Sequence, residues 1–498
     1  MQILWLLPGG MGLKEATMQD TILVFSRSSA KAGLIARTLR CREVYCLPLP
    51  FDTPAAEALS HAPLGIVLHA DARGDDALEG FDLALLDSGI PVLALEGAAA
   101  AACTLCGGES TPAACQRSGV TLELTGDPLF EGISGGERML GGLSALTLPE
   151  DLLPIATATQ QTIGFRHAQK PLYAMQYPIE RNDPDAAQLL ENFACGVCGA
   201  KAGWTDEAVI DEAIRTIRDC APEGRVLCAV SGGVDSAVCA RLASMAVGDR
   251  LECIFIDTGL FRQNEPDEVR RTYEEALGLS VSYVDAHETF LRALSGVNSP
   301  ADKERIASQL MTQVLIRQLK PDILTVVMGT NFNDTLFGQA PTAELDAGDH
   351  PVHACEPVRS LFKDEVRRLA SALNLPASIS ARQPFPSSGL ALRVMSSVTE
   401  ERLQLLRSID AAFTEEIREG GHDRRLWQYY ATLLDSPDRP GGYAVCLRAT
   451  QAAAGSAQSA RLPFDVLERT AERIREITPE VTRIVYDLTP SFHYGELE

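Results

Sequence analysis

The stretch Val226-Leu-Cys-Ala-Val-Ser-Gly-Gly-Val-Asp-Ser236 decides how this chain is read. Its first five residues are apolar and end at a turn signal, the mark of a buried strand, and the pattern Ala237–Met245 that follows is helical. Between them, Ser231-Gly-Gly-Val-Asp-Ser236 forms a loop suited to phosphate. Two glycines let backbone N–H groups approach an oxyanion closely, two hydroxyls donate to it, and the new helix points its positive end at it. No lysine stands where kinase-like loops place one against the β- and γ-phosphates. The alternative is a Gly-rich turn that holds no ligand.

Outward from the loop, the runs Leu251–Ile256, Val281–Val284 and Ile323–Met328 recur with helix-length spacers, and a helical stretch carrying Ala208, Ile210, Ala213, Ile214 and Ile217 precedes the first strand. This alternation predicts a doubly wound α/β domain. Asp257 falls at the carboxyl end of the second strand, the edge where ligands of open α/β sheets bind. It reads either as a Mg2+ ligand or as an Asp turned onto its own backbone before Gly259. Lys363 lies near a helix start capped by Ser360, and reads either as a neutraliser of pyrophosphate or as a solvated charge.

From Thr21 to Phe193 the short apolar runs Ile22–Phe25, Gly65–Leu68, Phe81–Leu86 and Pro91–Leu95 read as buried parallel strands of a separate α/β unit. Residues 1–20 precede that pattern and read as an appendage, with Met18 a second candidate start. The Gly-rich Cys195–Trp204 reads as a linker. After Arg393 come long amphipathic helices, Glu400–Glu419 and Phe464–Ile477, with strand-like runs Gly442–Leu447 and Thr482–Leu488, which make a small α+β domain.

The 498 residues are roughly three times the usual ~150 per domain, so several folded units are expected. Lys and Arg total 44 against 67 Asp and Glu, and the net charge of −23 disfavours nucleic acid and anionic membranes as partners. No apolar run approaches the ~20 residues that span a bilayer, and the start lacks a basic region before Pro8-Gly9-Gly10 breaks its apolar run. The 13 scattered cysteines read as reduced thiols, which places the protein in the cytoplasm.

Further motifs follow the loop in order: Phe255-Ile-Asp-Thr-Gly-Leu-Phe-Arg262, Gly329-Thr330, Glu356-Pro-Val-Arg-Ser-Leu-Phe-Lys-Asp-Glu-Val-Arg367, Arg382-Gln-Pro-Phe-Pro386, Gly389-Leu-Ala-Leu-Arg393 and Arg483-Ile-Val-Tyr-Asp487. With them the chain resembles the GMP synthase family, glutamine-dependent amidotransferases that aminate xanthosine monophosphate. The resemblance implies a flavodoxin-like class I amidotransferase-type domain over 21–195, an ATP pyrophosphatase domain over 201–393 and a C-terminal dimerisation domain over 394–498, hence a homodimer. It implies ATP and Mg2+ as cofactors, with ammonia and xanthosine monophosphate as co-substrates. Ser231, Gly232, Gly233, Val234, Asp235, Ser236 and Asp257 are then nucleotide-binding, Asp235 and Asp257 hold metal, and Asp235 and Lys363 are catalytic. Arg305, Asp334, Arg382 and Arg393 are left for the acceptor.

The departures from the family pattern are concentrated. Glu96 stands where the family's nucleophilic Cys ends the strand Pro91–Leu95, and a carboxylate cannot replace a thiolate as nucleophile. In Gln176-Tyr-Pro-Ile-Glu180, Pro178 replaces the His base and only Glu180 of the triad is left; His69-Ala-Asp-Ala72 replaces the Gly-Gly-Pro oxyanion stretch. Residues 21–193 therefore read as a glutaminase fold without glutaminase activity, with Cys103 and Cys106 as small thiols in the helix beyond the elbow. The lid segment reads Ala340–His350, and the tail Thr489–Glu498 lacks the family's lysine for the nucleotide phosphate. Alternatives are the same ATP chemistry on another acceptor, a non-catalytic nucleotide-binding relative, or sulfur transfer to tRNA through Cys195-Gly-Val-Cys198.

Overall fold

In this computed structural model the residues described are 20–71, 75–111, 117–332, 334, 344–346, 351–380, 382–383, 385–386, 388–453 and 456–489. The N-terminal appendage, most of the lid segment and the tail after Thr489 lie outside them. The chain divides into two compact units, the first ending at Val209 and the second beginning at Ile210.

In the first unit the apolar runs Ile22–Ser26 and Gly65–Ala70 are buried along their whole length and become central strands. They sit in a parallel set ordered Cys46–Leu49, Ile22–Ser26, Gly65–Ala70, Val92–Glu96, Leu172–Met175. An antiparallel extension follows: Gln161–His167, Leu152–Ala158, Arg117–Leu124 and Gly136–Gly141. Phe81–Leu86, expected as a strand, is not one. Asp82 accepts from Ala55 N at 2.8 Å and Ala84 N at 3.1 Å, which winds Leu83–Asp87 into a 3-10 turn and outcompetes a strand ladder. The expected linker also begins wound, because the helix Pro184–Glu191 continues as a π-helical turn, Asn192–Val197. Asn192 Nδ2 anchors that turn to Leu129 O and Glu131 O.

The second unit carries a six-stranded sheet in the order Val281–Asp285, Leu251–Asp257, Arg225–Ala229, Ile323–Val327, Pro351–Cys355, Glu344–Asp346, antiparallel only at the last pair. From Arg225–Ala229 the chain builds to one side and then crosses to the other. The order therefore reverses beside that strand, and the crevice at its carboxyl end is where such sheets take ligands. Ser231–Ser236 lies in that crevice, leading into the helix Val234–Val247. A second sheet pairs Gln428–Asp435 and Ser456–Ser459 antiparallel to Tyr443–Ala453, with Val481–Tyr486 parallel to it. The helix Glu400–Glu419, capped by the Thr399 side chain on Arg402 N, packs into one apolar core that runs from Leu227 and Ile254 through Leu403 and Phe413 to Val445 and Ile474.

Candidate active site

The loop owes its shape to Gly232, whose φ of 79° is open to glycine at no cost. A Cβ there would collide with Val269 and with the Arg382 guanidinium, which donates to Gly232 O. Ser236 Oγ ties the loop together: it accepts from Ser231 N at 3.2 Å, lies 3.2 Å from Ser231 Oγ and donates to Gly233 O at 3.1 Å. Gly329 allows the next strand's end to close in, since a Cβ there would sit 3.0 Å from Ser236 N.

Lys363, 128 residues from Asp235, donates to its Oδ2 at 2.6 Å. The lysine opens the helix Lys363–Ala372, which starts not behind a Ser360 cap but at Phe362, whose N–H donates to Glu365 Oε2 at 2.8 Å. Asn331 Nδ2 reaches Asp235 Oδ1 at 3.4 Å, and Asn331 N donates to Asp334 Oδ2 at 2.7 Å. Burial, together with the nearby Asp235 charge, raises the Asp334 pKa above the ordinary carboxylate value. Thr330 Oγ1 donates to Glu356 Oε1 at 2.7 Å. Asn331, Thr330 and Glu356 thus belong to the group around the loop. Gly329-Thr330 and Glu356 lie in the quoted motifs, whereas Asn331 carries no separate signal.

The other expected site residues are placed as follows. Asp257 accepts from Gly259 N at 2.8 Å and from the Tyr283 hydroxyl, so both oxygens are engaged and the turn-forming role is filled. Arg382 pairs with Glu265 while bracing Gly232, and burial lowers its pKa to about 10. Arg393 is 1% exposed, faces Phe385 and Tyr430 at 5.1 and 4.2 Å, and stands 3.6 Å from Asp410. Arg305 is exposed and bonds Asp302 at 3.0 Å and Gln309 at 3.4 Å on its own helix. Of the four acceptor candidates, Asp334 and Arg382 come to the loop's surroundings. Arg393 is a core cation, and Arg305 stands on a helix surface.

In the first unit Glu96 turns the strand Val92–Glu96 into the helix Gly97–Leu105 at φ 53°, ψ −120°, a conformation costing a non-glycine residue roughly 1–3 kcal/mol. Its Oε1 receives Lys31 Nζ and His69 Nε2, each at 3.2 Å, and Ile179 N at 3.3 Å. His69 is fully buried, with Nδ1 2.9 Å from Ser26 Oγ. Burial pushes the Glu96 carboxyl up, but His69 and Lys31 outweigh it and hold the pKa below the ordinary value. A cavity of about 20 Å3 remains between Asp71, Glu96, Gly97, Ser144 and Pro178, room for about one water. Cys103 is buried in the helix behind the elbow, and burial raises its thiol to about 11. No local pattern in the sequence marks Lys31 as the partner of Glu96.

Two family models match the chain: NAD synthase over residues 208–419 and GMP synthase C terminal domain over residues 415–492. A GMP synthase [glutamine-hydrolyzing] of Caldicellulosiruptor saccharolyticus is 35% identical, the alignment covering 94% of this chain and 98% of that protein. Proteins with the same name from Parafrankia sp. and Carboxydothermus hydrogenoformans are each 34% identical, covering 94% and 95% of this chain and 95% and 98% of theirs.

Proposed function

The chain belongs to the GMP synthase family, and on that premise we propose that its second unit is a working synthetase while its first has lost glutamine hydrolysis. The reaction is ATP-dependent amination of xanthosine monophosphate to GMP, with AMP and pyrophosphate released. The acceptor's carbonyl oxygen attacks the α-phosphorus of ATP, the bond to the β-phosphate breaks, and pyrophosphate leaves. Ammonia then adds to the activated carbon, and AMP departs with the oxygen.

The observation that carries this reading is the intact loop in its crevice with Lys363 drawn onto Asp235 at 2.6 Å. Backbone N–H groups of Gly232 and Gly233 and the Ser231 and Ser236 hydroxyls hold the departing pyrophosphate, and Lys363 counters the charge that builds there. Mg2+, if bound, would supply positive charge against the phosphate groups of ATP. Asp235 fits that ion, since its Oδ1 has only a 3.4 Å contact with Asn331. Asp257 as placed does not, because Gly259 N and Tyr283 engage both its oxygens. In this reading Asp334 and Arg382 flank the acceptor, Arg305 is offered to it only from an exposed helix surface, and the buried Arg393 supports the site without touching it.

Loss of glutaminase activity is supported by the elbow. Glu96 offers a carboxylate tied to Lys31 and His69, Pro178 offers no base, and the remaining cavity is water-sized. Ammonia then comes from solution or from another glutaminase. We further assign 21–195, 201–393 and 394–498 to the amidotransferase-type, ATP pyrophosphatase and dimerisation domains, and the assembly to a homodimer. The test is GMP formation from xanthosine monophosphate, ATP, Mg2+ and ammonium by the purified chain. Pyrophosphate release that ignores xanthosine monophosphate but responds to another acceptor would transfer the chemistry to that acceptor.

A further inference from the structure

The carboxyl edge of the first unit's parallel sheet gathers three metal-ligating side chains from two adjacent strands. Register sets Ser26 of Ile22–Ser26 beside His69 of Gly65–Ala70, and Ala70 beside Glu96 of Val92–Glu96. Asp71 follows two residues after His69, so the two side chains leave one face of the sheet. His69 Nε2 stands 3.2 Å from Glu96 Oε1 and 3.6 Å from Asp71 Oδ1. One ligand atom from each of the three lies within 4.8 Å of the others.

These spacings suit a tetrahedral ion. Bonds of about 2.0–2.2 Å to imidazole nitrogen and carboxylate oxygen put neighbouring ligand atoms roughly 3.3–3.5 Å apart. An ion among them takes the place of a proton on Nε2 and needs no water-sized void. His69 is fully buried, and Asp71, with 54% of its side chain exposed, provides the way in. The cavity of about 20 Å3 beside Asp71 and Glu96 has room for one water, the fourth ligand of an open site.

Behind the imidazole, Ser26 Oγ lies 2.9 Å from Nδ1 and accepts from Ser28 N at 3.1 Å. The hydroxyl keeps a second lone pair for a proton on Nδ1, which leaves Nε2 bare for a metal. Two carboxylates face one ammonium, that of Lys31, so the cluster is net negative with His69 neutral. Lys31 also donates to Ile179 O at 3.0 Å and keeps that anchor when an ion competes for Glu96. Among the described residues, Glu96 Oε2 and the Asp71 carboxylate make no hydrogen bond.

We propose that His69, Asp71 and Glu96 bind a divalent transition-metal cation of the Zn2+ class, with water in the fourth position. One imidazole with two carboxylates suits Zn2+ over Mg2+, which keeps to oxygen ligands in octahedral geometry. The inference does not depend on the chemistry assigned to the second unit.

The test strips the whole chain of metal with a chelator, titrates it with Co2+ as an optical stand-in, and then adds Zn2+. One equivalent of Co2+ should give the visible bands of tetrahedral nitrogen and oxygen ligation without the near-ultraviolet charge-transfer band of a thiolate, and Zn2+ should bleach them. Ser26→Ala should weaken binding roughly 10- to 100-fold, as loss of an outer partner does, and Asp71→Asn by at least as much. Asp71 is exposed, so its variant decides the matter should the Ser26 variant misfold by circular dichroism. Lys31→Met, which removes the competing ammonium, should tighten binding. The proposal is overturned if the stripped chain takes up neither ion, if bound Co2+ shows thiolate ligation, or if Asp71→Asn binds as wild type does.

Discussion

At the end of Val92–Glu96 the chain enters a helix through Glu96 at φ 53°, and just past Arg225–Ala229 it enters another through Gly232 at φ 79°. Both turns sit at the carboxyl edge of a parallel sheet. They differ in what the turn offers. At Glu96 the side chain is consumed by Lys31, His69 and Ile179 N, so the turn closes on itself. At Gly232 the loop has no side chain in the way, and Arg382 braces it from behind through its carbonyl. A strand-to-helix turn is kept by sheet packing, whereas what it can do chemically hangs on one or two side chains.

The largest expected effect falls on the loop. Asp235→Asn and Ser231→Ala should each lower pyrophosphate formation roughly 10²-fold or more, as removal of contacts to developing charge does, while Glu96→Ala leaves ammonium-supported synthesis unchanged. Steady-state pyrophosphate assays on the three folded variants would break the contrast if all lost activity alike. Next, Gly329→Ala places a methyl 3.0 Å from Ser236 N and pushes on the loop's backbone. A loss of kcat/KM for ATP of about tenfold, or ~1.4 kcal/mol, is expected.

At the elbow the effect is on stability. The Glu96 carboxyl has its folded pKa below the ordinary 4.5, so the cluster stabilises the fold above that pH, and this contribution is lost as pH falls through the lower folded value. Glu96→Gln should cost roughly 1.5–3 kcal/mol at neutral pH, with the difference from wild type shrinking in thermal melts taken below pH 4.5. A constant difference down through acid would show that the ion cluster is not what holds the elbow. The smallest structural effect is at Arg305, exposed on its helix: Arg305→Ala should change stability by less than about 0.5 kcal/mol. A higher KM for the acceptor in that variant would place Arg305 at the acceptor, and an unchanged KM would remove it.

The parallel strands, the loop and the strand end at Glu96 were legible because each is a short contiguous pattern. Long amphipathic helices such as Glu400–Glu419 and Phe464–Ile477 were bounded by the same logic. Contacts between distant residues were not legible. Lys363 lies 128 residues from Asp235, and a lysine at a helix start looks the same whether solvated or bound. Lys303, beside the singled-out Arg305, is buried and donates to Ala391 O at 3.2 Å and Ser396 O at 2.7 Å, and burial lowers its pKa to about 8. A lysine that snorkels onto carbonyls leaves no periodicity to read. Phe81–Leu86 failed for a local reason, since one Asp82 carboxylate supplying two backbone N–H groups defeats an apolar run.

The most direct measurement runs one preparation of the whole chain with ATP, Mg2+ and xanthosine monophosphate in two arms, ammonium or glutamine as the nitrogen source, and follows pyrophosphate, GMP and glutamate together. Pyrophosphate and GMP are expected in equal amounts with ammonium, and neither glutamate nor GMP above background with glutamine. Glutamate released from glutamine, or no pyrophosphate dependent on xanthosine monophosphate with ammonium, would contradict the proposed function.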